Sequence, residues 1–142
     1  MKLLILNGPN LNLLGVREPD IYGKQNYSDL CKLIEAHAAV LGVEVEVRQT
    51  NHEGVLVDWI QQARGQFDGI VLNPAAYTHT SIALLDAVAA AGLPTVEVHI
   101  SDVRRREAFR QISHVRAACV ATITGHGLHG YLEAMDVLTH LK

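Results

Sequence analysis

Short apolar runs alternate with helix-periodic segments along the chain, with Gly or Pro between units. This alternation constrains the fold more than any other feature, because repeated βα units build a parallel sheet with helices on both faces. Lys2–Leu6 and Gly69–Asn73 read as strands buried on both faces. Val43–Arg48 instead alternates strictly between apolar and polar, so one of its faces is wet and it belongs at a sheet edge. Thr95–His99 supplies a fourth strand and Ala118–Thr124 a fifth. Between them, residues 28–41 place Leu30, Leu33, Ile34, His37, Ala38 and Leu41 on one helical face, opened by Asn26 or Ser28 and closed by Gly42. Residues 53–64 turn Leu56, Trp59, Ile60 and Ala63 inward. A third helix after Thr80-Ser81 turns Ile82, Leu85, Val88 and Ala89 inward and stops at Gly92. An Arg-rich helical turn covers residues 103–110, and Tyr131, Leu132, Met135 and Leu138 mark the inner face of a last helix.

An edge second strand and right-handed crossovers favour the order 2-1-3-4-5, a flavodoxin-like doubly wound α/β sheet of five parallel strands. With 142 residues, 49% of them hydrophobic, a single domain over residues 1–142 is expected. Sheets of this order bind ligands where strands 1 and 3 diverge, at their carboxyl ends. One crevice should therefore collect Asn10 and Asn12 after strand 1, Asn73, Thr78 and His79 after strand 3, and His99 and Ser101 after strand 4.

A net charge of −3 provides no basic field for nucleic acid, so a diffusible small substrate is the default. Cys31 and Cys119 lack the paired spacing of zinc sites or disulfide frameworks and read as small buried hydrophobes. The amino-terminal apolar run is too short for a signal peptide, and no stretch approaches a membrane span, which fits a cytoplasmic protein. Gly125-His126-Gly127-Leu128-His129-Gly130 matches the dinucleotide fingerprint in spacing, but no second strand and ribose-binding acid follow it, so its glycines are expected to serve a tight turn and close helix packing. Among the eight histidines no HExxH pair occurs, and no metal or cofactor is expected. His37, His114 and His140 read as surface or packing residues and His52 as part of a helix start. His79 and His99 stand at the predicted rim, where a titrating imidazole is useful. Arg104, Arg105, Arg106 and Arg110 begin just past a strand end. Arg106 and Arg110, four apart, would point the same way on a helix and could meet an anionic substrate.

Several separated motifs then agree. They are Asn7-Gly8-Pro9-Asn10-Leu11-Asn12, Arg17-Glu18-Pro19 with Tyr22-Gly23, Asn51-His52-Glu53-Gly54, Asn73-Pro74 with Tyr77-Thr78-His79-Thr80-Ser81, Glu97-Val98-His99-Ile100-Ser101, Arg106-Glu107 with Arg110, and Gly130-Tyr131. In order and spacing the chain resembles the type II 3-dehydroquinate dehydratases over essentially its whole length. The resemblance implies dehydration of 3-dehydroquinate to 3-dehydroshikimate in the shikimate route to aromatic amino acids, by anti elimination through an enolate and without a cofactor. It assigns Tyr22 as the base at C2, Arg17 as a residue closing over it on a lid, and Asn10 as the holder of a water against the enolate oxygen. His99 becomes the general acid for the C1 hydroxyl, oriented by Glu97. Asn73, Ile100 and Ser101 become carboxylate anchors, while His79, Arg110 and Asp86 contact the ring hydroxyls, Asp86 from a neighbouring subunit. Arg106 becomes a second cation near the base, and the assembly a homododecamer built from trimers.

Elementary electrostatics is consistent with a tyrosinate. Ionising a tyrosine of pKa ~10 at pH 7 costs roughly 4 kcal/mol. One guanidinium ~4 Å away, at an effective dielectric near ~20, returns about 4 kcal/mol, so Arg17 and Arg106 together would suffice. A Schiff-base route has only Lys24 as a nearby amine, since Lys2 opens a strand, Lys32 lies within a helix and Lys142 is terminal. A binding or signalling module of the same fold, using the crevice for a flavin or a phosphate, is disfavoured, because this chain has neither a receiver domain's acidic cluster at the first strand end nor a Ser/Thr-rich phosphate loop after strand 1. A catalytically silent structural oligomer would not need every catalytic position filled. Three departures from the family pattern stand out. Asp102 replaces Asn beside the carboxylate anchor, and Arg104 and Arg105 replace smaller or less charged residues and could offset its charge. Ala75 replaces a frequent Gly and should disfavour positive φ there.

Overall fold

The computed structural model describes residues 1–16 and 24–141. Five parallel strands, β1 (Lys2–Asn7), β2 (Glu44–Gln49), β3 (Gly69–Asn73), β4 (Thr95–His99) and β5 (Ala121–Thr124), form one sheet in the order β2-β1-β3-β4-β5, as the edge argument requires. Among the described residues four α-helices flank it: α1 (Tyr27–Leu41), α2 (Glu53–Gln62), α3 (Ile82–Ala91) and α4 (His129–Thr139). Strand alternation divides the core into two layers. Leu3, Ile5, Val71, Val96 and Val98 pack against α1 and α4 through Leu30, Ile34, Tyr131 and Met135. Leu4, Leu6, Ile70 and Leu72 pack against α2 and α3 through Leu56, Ile60, Leu84 and Val88.

The β2 alternation is resolved as expected. Val45 and Val47 pack against the α1 layer, while Arg48 on the other face pairs with Glu46 at 2.6 Å and lies over the Trp59 ring at 5.6 Å. Asn26 is the N-cap of α1, its side chain accepting from Asp29 N–H while its own backbone N–H donates to the Asp29 carboxylate in a capping box, and Gly42 closes the helix at φ 71°. His52 is the N-cap of α2. His37 Nε2 donates to the Asp136 carboxylate of α4 at 2.7 Å, a packing role as expected.

Four local expectations are corrected. The inner face of α3 is Leu84, Ala87, Val88 and Ala91, whereas Ile82 is 51% exposed and Ala89 is exposed. A helix apolar nearly all round offers no contrast from which to read its phase, and the Ser81 cap to Leu84 N–H at 2.9 Å marks its start instead. Residues Val115–Ala118 form a 3₁₀ turn, so β5 starts only at Ala121. The 103–110 segment is two 3₁₀ turns, Val103–Arg105 and Ala108–Arg110, separated by extended backbone at Arg106. Cys31 and Cys119 are half-buried thiols rather than buried ones.

Candidate active site

The carboxyl ends of β1, β3 and β4 converge because neighbouring strands end in step: Asn7 pairs with Asn73, and Leu72 with Glu97. Gly8 is needed at that convergence. Its N–H donates to Asn73 O at 2.8 Å, and a Cβ there would lie 2.6 Å from Pro74 O. The chain then turns at Asn10, φ 71°, a left-handed conformation that Asn tolerates. Asn51 braces this turn, its Oδ1 accepting from Asn10 N–H at 3.1 Å and from Gln49 Nε2 at 3.0 Å.

One cavity opens at this edge. Asn10, Asn73, His79, His99, Ile100, Ser101, Arg106 and Arg110 all line it, alongside the apolar wall of Leu11, Leu13, Leu14 and Val103. Eight of the expected site residues are thereby gathered from four separate segments. Arg106 and Arg110 reach the cavity from their two turns even though no continuous helix carries them. Asn12 and Thr78 do not line it: Asn12 sits near Gln49, and Thr78 is 1% exposed beneath the rim. Asp86 lies on the exposed surface of α3, away from the cavity of its own chain. Arg17 and Tyr22, with the lid expected around them, lie outside the described residues.

Glu97 and His99 are two apart on β4, so both point to the same face of the sheet. Glu97 is fully buried and His99 is 5% exposed. Their contact, Nε2 to Oε2, is 2.5 Å. The carboxylate also accepts from Ser113 Oγ at 2.8 Å, Arg116 Nε at 3.2 Å and Thr122 Oγ1 at 3.1 Å. Burial alone would raise the Glu97 pKa, but the His99 bond and charge, Ser113 and Arg116 outweigh it and hold the carboxyl at about 2. An ionised carboxylate only accepts, so His99 Nε2 carries a proton and Nδ1 is the nitrogen left for chemistry. Ser113, Arg116 and Thr122 were not legible as site residues. Thr122 stands opposite Glu97 only through the β4–β5 register, and Ser113 and Arg116 arrive from a connection without regular periodicity.

His79 is fixed in the complementary way. Its Nδ1 lies 2.7 Å from the Ile112 carbonyl, which cannot donate, so Nδ1 carries the proton. Burial, with the charges of His99 and Arg110, holds the His79 pKa below the usual imidazole range against the pull of that carbonyl. Arg106 is mostly buried, with Nη1 3.5 Å from Ser101 Oγ and Nε 4.0 Å from Glu107, and Arg110 Nε contacts the same Glu107 carboxylate at 2.5 Å. The rim is therefore cationic on the side facing Ser101.

The glycines of the 125–130 segment serve a turn, as expected. Gly125 and Gly127 have φ 79° and 60°, and their N–H groups donate to His99 O at 3.3 Å and Ile100 O at 3.1 Å. They steady the backbone that carries His99 and Ile100. Asp102 turns its carboxylate onto Arg104, with Nε at 3.1 Å and Nη2 at 3.3 Å, and lies 3.8 Å from Arg105. The offset expected for its charge is present. Ala75, by contrast, does adopt positive φ, 53°, despite its Cβ. Its N–H donates to Asn73 Oδ1 at 3.1 Å within the turn that follows β3.

Comparison with known proteins agrees with this geometry. A 3-dehydroquinate dehydratase of Corynebacterium glutamicum (strain R) is 55% identical over 141 residues, covering 99% of this chain and 97% of its own. One from Clostridium acetobutylicum is 48% identical over 141 residues, with 99% and 98% covered. The crystal structure of type II dehydroquinase from Butyrivibrio crossotus superposes with a TM-score of 0.97 at 49% identity, covering 98% of this chain and 97% of that one. The family described as dehydroquinase class II matches residues 1–139, so this chain belongs to the class II dehydroquinases.

Proposed function

We propose that this protein dehydrates 3-dehydroquinate to 3-dehydroshikimate by anti elimination through an enolate, as a step of the shikimate route. The observation that carries the reading is the buried Glu97–His99 pair at a cavity with a cationic rim, in a chain of this family. The substrate is an anion, and Arg106 and Arg110 favour its entry. Its carboxylate is held by the Asn73 amide and the backbone N–H groups of Ile100 and Ser101, and its ring hydroxyls by His79 and Arg110. The Tyr22 phenolate, ionised by Arg17 and Arg106, takes the proton from C2. The electron pair passes to the carbonyl oxygen, where a water held by Asn10 stabilises the enolate. The pair then returns to form the C1–C2 double bond as the C1–O bond breaks, and His99 Nδ1 delivers a proton to the departing hydroxyl, which leaves as water. Glu97 stabilises the imidazolium that precedes this transfer.

No helix among the described residues is long and apolar enough to cross a membrane. The reading extends to a cytoplasmic homododecamer built from trimers, in which Asp86 contacts the substrate of a neighbouring copy. Its exposed position on α3 supports that role. The test is to mix the protein with 3-dehydroquinate and follow the conjugated enone of the product, then repeat with Tyr22→Phe. The parent forms enone and the variant does not; a parent that forms none discards the reading.

A further inference from the structure

Tyr131 is fully buried at the start of α4, and no step above uses its hydroxyl. That hydroxyl has two partners, both asparagines from strand ends. It donates to Asn7 Oδ1 at 2.6 Å and accepts from Asn73 Nδ2 at 2.8 Å. The direction of the chain is forced by chemistry. Ala75 N–H, 3.1 Å from Asn73, can only donate, so the amide atom facing it is Oδ1 and Nδ2 faces Tyr131. The phenolic oxygen, receiving that N–H, puts its own proton on Asn7. Burial pushes the Tyr131 phenol up, so it remains a neutral hydroxyl able to do both.

We propose that Tyr131 is a positioning residue for substrate binding: its hydroxyl holds the amide plane of Asn73 so that the second Nδ2 hydrogen is presented to a carboxylate in the cavity. Asn73 lines that cavity, and this hydrogen has no protein acceptor among the described residues. Without the hydroxyl, only the Ala75 contact would orient the amide, and the terminal torsion of Asn is broad. Tyr131 thus acts through Asn73 and never touches substrate. The inference rests on the carboxylate-binding reading of Asn73 given above.

Steady-state kinetics with 3-dehydroquinate on the parent, Tyr131→Phe, Asn73→Ala and the double variant test it. Tyr131→Phe should raise KM about tenfold, equivalent to ~1.4 kcal/mol, with kcat changed by less than about threefold. In the Asn73→Ala background the same substitution should change KM by less than about twofold, because coupled residues are not additive. Asn7→Ala, which removes the acceptor that orients the Tyr131 proton, should raise KM in the same direction and serves if Tyr131→Phe does not fold. An unchanged KM in Tyr131→Phe or, failing that variant, in Asn7→Ala overturns the inference. Equal KM effects of Tyr131→Phe in both Asn73 backgrounds also overturn it, since a merely structural loss would behave that way. A parent without activity on 3-dehydroquinate removes the functional reading instead, before Tyr131 is tested.

Discussion

Replacing Glu97 by Gln keeps the shape of the side chain and removes its charge. Four donors converge on the carboxylate: His99, Ser113, Arg116 and Thr122. A carboxamide has one acceptor oxygen and two N–H donors, so one pair of these donors meets an N–H group. Placing the oxygen toward His99 and Ser113 is the less costly arrangement, because Thr122 can rotate to accept and Arg116, 47% exposed, can turn to water. The imidazolium still loses its counter-charge. For unit charges with centres ~4 Å apart at an effective dielectric near ~20 the loss is about 4 kcal/mol. At pH 7 kcat should therefore fall by roughly 10²–10³. KM should change little, since Glu97 lies behind His99 and does not line the cavity. Stability supplies an independent reading. The parent Glu97 carboxyl is held at about 2 against an ordinary value of 4.5, which corresponds to roughly 3 kcal/mol. A depressed carboxyl stabilises the fold fully above its unfolded value and loses that contribution as pH falls through the folded one. The parent should thus weaken between about pH 5 and pH 2, and Glu97→Gln should show a flatter decline in urea titrations over that range. A variant with kcat within about threefold of the parent and an unaltered acid decline would refute both the acid-orienting role and the origin of the Glu97 shift.

Two further outcomes follow from the site. Ala75→Gly should stabilise the fold by about 0.5–1 kcal/mol, because left-handed φ costs a Cβ-bearing residue about 1–2 kcal/mol and the added freedom of unfolded Gly returns only about 0.4–1; urea unfolding at fixed pH checks this, and a destabilised variant would contradict it. Neutralising Arg17 and Arg106 together, as Arg17→Gln with Arg106→Gln, should move the rise of activity that reports Tyr22 ionisation to higher pH by about three units, and a pH–kcat profile whose rise does not move would show that the two guanidiniums do not create the base.

Much of this fold was legible because its strongest signals are binary. The buried runs Leu3–Leu6 and Ile70–Leu72 and the alternating Val43–Arg48 fix which strands are central and which is the edge, and the sheet order follows from handedness. The cavity followed from the same logic, since Asn10, Asn73 and His99 stand at the ends of β1, β3 and β4. Legibility failed where contrast or locality failed. The face of α3 could not be phased in a run such as Ile82-Ala83-Leu84-Leu85, and apolar Ala118–Val120 imitates the start of a strand although Ala118 closes a 3₁₀ turn and β5 begins only at Ala121. Arg106 and Arg110 were correctly joined at the rim for an incorrect reason, since helical spacing does not bring them together. The supports of the site were hidden more deeply. Thr122 meets Glu97, and Tyr131 meets Asn7 and Asn73, only through tertiary placement, across separations of 25, 124 and 58 residues. Ala75 shows the converse: its residue type argues against the left-handed φ that the turn nonetheless imposes.

The most direct test of the central claim is the rate of enone formation from 3-dehydroquinate by the parent and by His99→Ala under the same conditions. The predicted result is sustained product formation by the parent and a loss of at least about 10² in kcat for the variant, the lower end of what a positioned general acid contributes. Enone formation at equal rates by both, or by neither, would contradict it.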